Sequence, residues 1–296
     1  MQTMLNRIVI ITSRIFGQLP FSVIYGFSNV LFLVLYYVAG YRKKVVTQNL
    51  HRSFPGKTPK EINLIRRQYY RYFADLLLES LKGLYMKEAE FRKRFTWADP
   101  HVFDEEIKGH KHIIMLGSHY GNWEWGSVCM PLYLHHQLYG IYKPLSNKAL
   151  DNWLQERRSR FGLLPVKMSQ VARTLVQEHD ALAMFAFIAD QTPVDVENAF
   201  WLRFLNQDTP FYHGPEKLAR RTGFPVYIYK IERPKRGFYS ISFHKLTDDA
   251  RSLPEGELTK RYVAFLERQI SEAPQYWLWS HRRWKRSKPA NASVFR

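Results

Sequence analysis

The sequence predicts an α/β fold, a mixed and partly parallel central sheet flanked by helices, preceded by an N-terminal hydrophobic membrane-anchor helix. Three observations predict it. From Lys111 onward, short apolar runs of strand type alternate with helix-like stretches, the pattern of a sheet covered by helices. Two of those runs break off at a polar residue, His119 and Asp190, and ligands of open α/β sheets sit beyond the carboxyl ends of strands. Finally, Ile15 to Gly40 carries no charged side chain and is about as long as the ~20 residues that cross a bilayer.

The elements follow in chain order. Gln18, Pro20, Ser22, Ser28 and Asn29 dilute the apolar stretch, so it reads as a spanning helix or as a re-entrant or interfacial anchor, with a buried core helix as the plain alternative. It is too long for a signal peptide, and no small-residue cleavage site follows it. Arg42, Lys43 and Lys44 come next and place the remaining chain on the cytoplasmic side by the positive-inside tendency, while Arg7 and Arg14 on the other flank pull against that. The organisation expected is therefore an anchor over residues 1–44 and one domain over residues 45–296.

A long amphipathic helix is expected after Thr58. Thr58 is its N-cap, Pro59 its first residue and Glu61 closes a capping box, with apolar positions at Ile62, Ile65, Tyr69, Phe73, Leu76 and Leu77 and a stop at Gly83. Beyond it, strands are expected at Ile113 to Leu116, Leu138 to Tyr142, Ala181 to Ile188, Val226 to Ile231 and Phe238 to Phe243. Helices are expected at Ala149 to Arg160, Val171 to Glu178 and Glu216 to Arg221, the last closed by Gly223. The tail from Lys285 to Arg296 reads as frayed.

Composition narrows the partners. With 44 Lys and Arg against 26 Asp and Glu, the net charge of +18 favours nucleic acid, anionic lipid or an acidic carrier protein. Aromatics at 16%, including 8 Trp, tilt the balance toward a membrane interface. No recognisable DNA or RNA module is present, and nucleic acid is not expected as a partner. The lone Cys129 excludes an intramolecular disulfide and a Cys-rich metal site.

The chemistry concentrates in "GSHYGNWEWG". A histidine near neutrality can take a proton from a hydroxyl, and a carboxylate on its other ring nitrogen fixes the tautomer. His119 and Glu124 are the pair expected. Within one helix a separation of five would put them about 140° apart. They can meet only if His119 lies in a turn before the helix and Glu124 in its first turn, with Gly121 and Asn122 supplying the turn and the N-cap. Other chemistries lack support: no G-x-S-x-G elbow, no nucleotide-binding G-x-G or P-loop, and no H-E-x-x-H occurs, so neither a metal nor a cofactor is expected. Near the C-terminus, Trp277, Trp279 and Trp284 alternate with Arg282, Arg283 and Lys285. Such a segment either gathers anionic phosphates with its rings in the head-group layer or packs its rings in the core.

"GSHYGNWEWG" resembles the first motif of the late acyltransferases of lipid A biosynthesis, a branch of the glycerolipid acyltransferases with a His-x4-Asp/Glu core. "YRKKVVTQNLHRSFPGKT", "YKPLSNKALDNWLQERRSRFG", "ADQTP", "GPEKLARRTGFPVYIYKIER" and "PQYWLWSHRRWK" resemble further blocks of that family, in its order and over most of the chain. The resemblance implies a glycerolipid acyltransferase-like fold and an inner-membrane enzyme working at the cytoplasmic face. It implies transfer of an acyl chain from acyl carrier protein to a hydroxyl of a lipid A precursor, without metal or covalent acyl-enzyme. By that resemblance His119 is the general base, Glu124 its orienter, Arg158 a phosphate or oxyanion contact, and Asp190 completes the site. Substrate contacts are expected from Asn122, Trp123, Lys143, Arg157, Arg160, Gln191, Arg282 and Arg283. "RFLNQDTPF" stands where the family usually shows Phe-Phe-Gly, and Lys143 where an arginine is common. Acylation of another lysolipid, and non-catalytic lipid binding, are the competing readings.

Overall fold

The structure, a computed structural model, describes residues 2–177, 179–289 and 294–295. Glu178, the last residue of one expected helix, and residues 290–293 and Arg296 of the expected frayed tail lie outside the described residues.

The expected uncharged anchor is broken into two helices. α1 (Gln2–Gln18) ends before Pro20, and α2 (Phe21–Leu33) begins after it and runs on into a π-turn, Val34–Val38. The break follows from the proline, which disfavours helical geometry at the residue before it and suits the start of a new helix. Among the described residues, Phe21–Val38 alone is long and apolar enough to cross a membrane. α2 buries Ile24, Ser28 and Phe32 and presents Val23, Phe27, Val30 and Leu33 outward. α3 (Lys43–Ser53) leads into α4 (Pro59–Gly83), which starts where the sequence places it. The Thr58 side chain accepts from the Glu61 amide, and the Glu61 carboxylate accepts from the Thr58 amide at 2.8 Å.

After α5 (Glu88–Arg94), the main sheet is built from β1 (Phe95–Trp97), β2 (Ile113–Gly117), β3 (Gln137–Tyr142), β4 (Leu164–Lys167), β5 (Ala183–Ile188), β8 (Val226–Lys235) and β9 (Phe238–Thr247). Its seven strands run in the order β1-β9-β8-β2-β5-β3-β4. Only β8 and β9 are antiparallel; the other neighbours are parallel. A mixed, mostly parallel sheet is what the alternating pattern implies. The parallel crossovers use α6 (Asp104–Lys108), α7 (Trp123–Cys129), α8 (Lys148–Arg158), α9 (Val171–Val176) and α10 (Gly214–Thr222), and α11 (Glu257–Glu272) follows β9. Two cores result. Ile114, Leu116, Phe185 and Ile228 pack on the α4 and α11 side, while Met115, Met184, Tyr227 and Tyr229 pack on the side of α7, as the period-2 alternation of strand side chains requires.

"RFLNQDTPF", the departure from the family pattern, is a hairpin between β6 (Ala199–Phe204) and β7 (Gln207–Tyr212). Leu205 and Asn206 both take left-handed backbone at φ 48° and 62°, the requirement of a two-residue type I′ turn. Glu267 accepts from the Leu205 amide and the Ser53 carbonyl from the Asn206 side chain, which offsets the cost of a leucine there. A short β10 (Val294–Phe295) extends this hairpin into a three-stranded sheet.

Candidate active site

His119 lies just past the end of β2, and Asp190 just past the end of the neighbouring parallel strand β5. Parallel pairing brings the two ends level, so residues far apart in sequence meet. Nδ1 of His119 stands 2.6 Å from Oδ1 of Asp190, and the His119 amide donates to Oδ2 at 2.9 Å. An ionised carboxylate only accepts, so Nδ1 carries the proton and Nε2 its lone pair. The Gln191 amide nitrogen lies 3.1 Å from Nε2 and donates to it. Burial pushes the Asp190 carboxyl up, but the His119 charge and the bonds from His119 and Trp277 outweigh it and hold its pKa below the ordinary value.

The expected His119–Glu124 pair is not the one that forms. Glu124 sits in the first turn of α7, and both of its oxygens accept from one terminal nitrogen of Arg158, at 2.8 and 2.7 Å. The carboxylate behind the histidine ring is Asp190. Glu124 is the nearest carboxylate along the chain, whereas the sheet brings Asp190 nearer across a strand.

The turn between the strand and α7 is tightly specified. Gly121 has φ +60°, and a Cβ there would meet Ile231 at 2.7 Å. Its carbonyl accepts from the Tyr72 hydroxyl of α4, and its amide donates to the Tyr276 carbonyl at 3.1 Å. Asn122 is the N-cap, accepting from the Trp125 amide at 3.0 Å, and it donates to the Glu79 carboxylate at 2.9 Å. Asn122 is 0% exposed and spends both ends of its side chain on the protein, so it holds the turn rather than a substrate. Glu79 is buried too and also accepts from the Tyr25 and Tyr239 hydroxyls. Acidic residues at Asp75 and Glu79, on the buried stripe of an amphipathic helix, were the signal in the sequence for this network.

His119, Trp123, Glu124, Lys143, Arg158 and Gln191 all border one cavity of about 500 Å³. The Trp123 ring stands edge-on to the His119 ring at 5.1 Å between centroids. From this polar mouth the cavity extends along both faces of the sheet. One limb, beneath α7, is lined by Met130, Leu138, Leu163 and Ile241, with Gly126, Gly140 and Ala186 leaving room; the other is lined by Val171, Phe187 and Leu218.

The remaining expected contacts lie elsewhere. Arg157 pairs with Glu156, and Arg160 donates to the Gly83 carbonyl at 2.7 Å with its guanidinium over Phe161. Burial, with Arg157 beside it, lowers the Arg160 pKa to about 10. Arg157, Arg158 and Arg160 lie along one short segment, and only Arg158 takes a place on the cavity wall. Arg282 is exposed. Arg283 is 0% exposed, donates to the Pro210 carbonyl at 2.6 Å and lies over Phe211, so it is not placed to gather a phosphate. The head-group reading of the neighbouring rings gives way to core packing: Trp277 and Trp279 are buried, and Trp277 donates to Oδ2 of Asp190 at 2.8 Å. Trp277 is a site residue that its aromatic surroundings concealed.

Residues 1–286 match the family model of bacterial lipid A biosynthesis acyltransferases. The chain belongs to this family. It is similar to the lipid A biosynthesis palmitoleoyltransferase of Escherichia coli, with 21% identity over 260 residues covering 86% of this chain and 82% of that one. It is also similar to the lipid A biosynthesis acyltransferase of Haemophilus influenzae, with 23% identity over 250 residues covering 82% and 78%. The lipid A acyltransferase of Shigella flexneri matches at 21% over 260 residues.

Proposed function

We propose that this protein transfers a fatty acyl chain from an acyl thioester, with acyl carrier protein as donor, to a hydroxyl of a lipid A precursor. The observation that carries the reading is the His119–Asp190 pair at the mouth of the large apolar cavity. His119 Nε2 takes the proton of the acceptor hydroxyl as its oxygen bonds to the thioester carbonyl carbon. Collapse of the tetrahedral intermediate breaks the carbon–sulfur bond, and the imidazolium returns its proton to the leaving thiolate. Asp190 holds the tautomer and stabilises the imidazolium. General-base action of this kind is worth about 10²–10⁴ in rate.

Arg158, held against the cavity wall by Glu124, supplies positive charge for the oxyanion or an acceptor phosphate, a role of about 10²–10³ in rate for a single donor. Lys143 stands at the rim for the same chemistry. The limb beneath α7 takes the acyl chain. No enzyme nucleophile enters, since Cys129 is buried and burial raises its thiol pKa well above the ordinary value. The apolar N-terminal helices keep the protein at the cytoplasmic face of the inner membrane, as the anchor of residues 1–44 on a catalytic domain of residues 45–296.

The test uses the purified full-length protein with acyl carrier protein thioesters and three acceptors: an under-acylated lipid A precursor, a lysophospholipid and an amino-acid lipid. Mass spectrometry reads the products. An acylated lipid A that disappears with His119→Ala is the expected result. Acylation of another acceptor alone would move the function to a different lysolipid, and binding without turnover would reduce it to a lipid-binding role.

A further inference from the structure

A second cavity, of about 360 Å³, shares no lining residue with the first and reaches the Gly121 turn through Tyr72. Tyr72, whose hydroxyl bonds the Gly121 carbonyl, forms part of its wall, together with Arg71, Asp75, Arg233, Lys235 and Arg236. Four cations thus surround one carboxylate. Asp75 is already saturated: it accepts from Arg233 at 2.6 Å, from Arg236 at 3.0 Å and from Ser28 at 2.5 Å. Among the described residues Arg71 and Lys235 are exposed and make no ion pair; Arg71 lies over the Phe32 ring and Lys235 over the Phe238 ring. Nε of Arg233, on a side chain only 8% exposed, has no hydrogen-bond partner. The cavity therefore holds donors and positive charge in excess of what the protein itself uses.

Its position says what kind of anion reaches it. Arg236 donates to the side chain of Asn29, and Arg71 lies over Phe32, so α2 borders the cavity with one face. The opposite face of α2 and of the π-turn that continues it is bare: Phe27 is 50% exposed, Val30 59% and, in the turn, Tyr37 59%. α1 adds Met4, Ile8, Ile11 and Ile15, exposed at helical spacing. Bare apolar faces on α1 and α2, next to a pocket of uncompensated cations, match the layering of a bilayer, acyl chains beside anionic head groups.

We propose that this cavity binds the phosphate of an anionic membrane lipid while the bare faces of α1 and α2 rest in the acyl layer, at a site separate from the catalytic one. Such a site needs no acyl transfer, so its test stands apart from the catalytic reading. Full-length protein is sedimented with phosphatidylcholine vesicles, with or without about 20 mol% phosphatidic acid, at low salt. Arg71→Glu/Lys235→Glu is compared with Lys108→Glu/Lys217→Glu, which reverses the same charge at exposed lysines lining neither cavity, and thermal melts establish that both fold.

The expected result is a loss of about tenfold in binding to the phosphatidic acid vesicles for the first variant and little change for the second. Equal losses in both variants would reduce the effect to net charge and overturn the proposal, as would no loss in the first. Inorganic phosphate without vesicles supplies the remaining arm. Stabilisation of the wild type but not of Arg71→Glu/Lys235→Glu, with vesicle binding unchanged, would assign the cavity to free phosphate and overturn the lipid assignment.

Discussion

The indole nitrogen of Trp277 donates to Oδ2 of Asp190 at 2.8 Å, while Oδ1 of the same carboxylate faces the His119 ring at 2.6 Å. The C-terminal segment thereby fixes the carboxylate that fixes the base. Asp190→Asn keeps the shape but loses the charge and the tautomer preference, and should lower kcat by about 10³–10⁴. Trp277→Phe removes one bond to a charged group, worth about 1.5–3 kcal/mol. It should give a smaller loss of kcat with KM little changed, read by steady-state kinetics on acyl thioester. Equal activity of Asp190→Asn and wild type would remove the carboxylate from the mechanism.

Glu124 and Arg158 act as a unit on the cavity wall. Glu124→Gln and Arg158→Ala should each reduce kcat/KM, and the double variant should lose far less than the sum, a coupling of about 0.5–3 kcal/mol. Arg158→Lys keeps the charge without the planar guanidinium and should rescue only part of the loss. Strictly additive losses would mean that the ion pair has no share in transition-state binding.

Gly140 and Ala186 are paired across β3 and β5 and border the apolar limb beneath α7. Ala186→Leu places three more carbons in that limb. It should depress kcat/KM for the longest donor accepted and spare shorter ones, at about 0.8 kcal/mol for each methylene no longer housed. A series of acyl thioesters of increasing length measures this, and a uniform fall across the series would assign the limb to something other than the chain.

Asn122 caps α7 and also donates to Glu79. Asn122→Ala should cost about 0.5–2 kcal/mol from the lost cap. Asn122→Asp, an equally good cap in isolation, should be worse, because it sets a second carboxylate against one that is fully buried and whose pKa burial already raises. Urea unfolding of the two variants ranks them; an Asp variant as stable as wild type would contradict the buried contact.

Stability should fall on acidification below about 6.5, the ordinary histidine value. Burial lowers the pKa of His281 to about 4 despite the opposing pull of Asp190. The unfolded chain therefore takes up a proton that the folded one refuses. The stability is fully present above pH 6.5 and lost as pH falls toward 4. Asp190, also held low, acts in the same direction at still lower pH. His281→Phe should flatten the dependence of unfolding free energy on pH between pH 6.5 and 4 by up to one proton.

Local chemistry made much of the fold readable. The Thr58 capping box, the apolar runs at β2 and β5 and the Gly223 stop each follow from interactions within a few residues. The strands not foreseen include the three-residue Phe95–Trp97, Leu164–Lys167 with its proline, and both six-residue strands of the Ala199–Tyr212 hairpin. At the site, a sequence could locate His119 and Asp190 at strand ends but not their pairing, which depends on β2 and β5 being neighbours. Arg283 and Trp277 were legible as a basic aromatic segment, yet burial, which decides their roles, is a property of the tertiary fold.

The polar face of α2 has a practical consequence. Tyr25 and Ser28 hydrogen-bond Glu79 and Asp75, carboxylates buried in the body of the protein. Deleting the N-terminal helices to obtain a detergent-free protein would strip partners from both acids and loosen the turn that carries His119. Replacing Phe27, Val30 and Tyr37 with polar residues on the outer face should instead yield a soluble form that keeps its catalytic geometry.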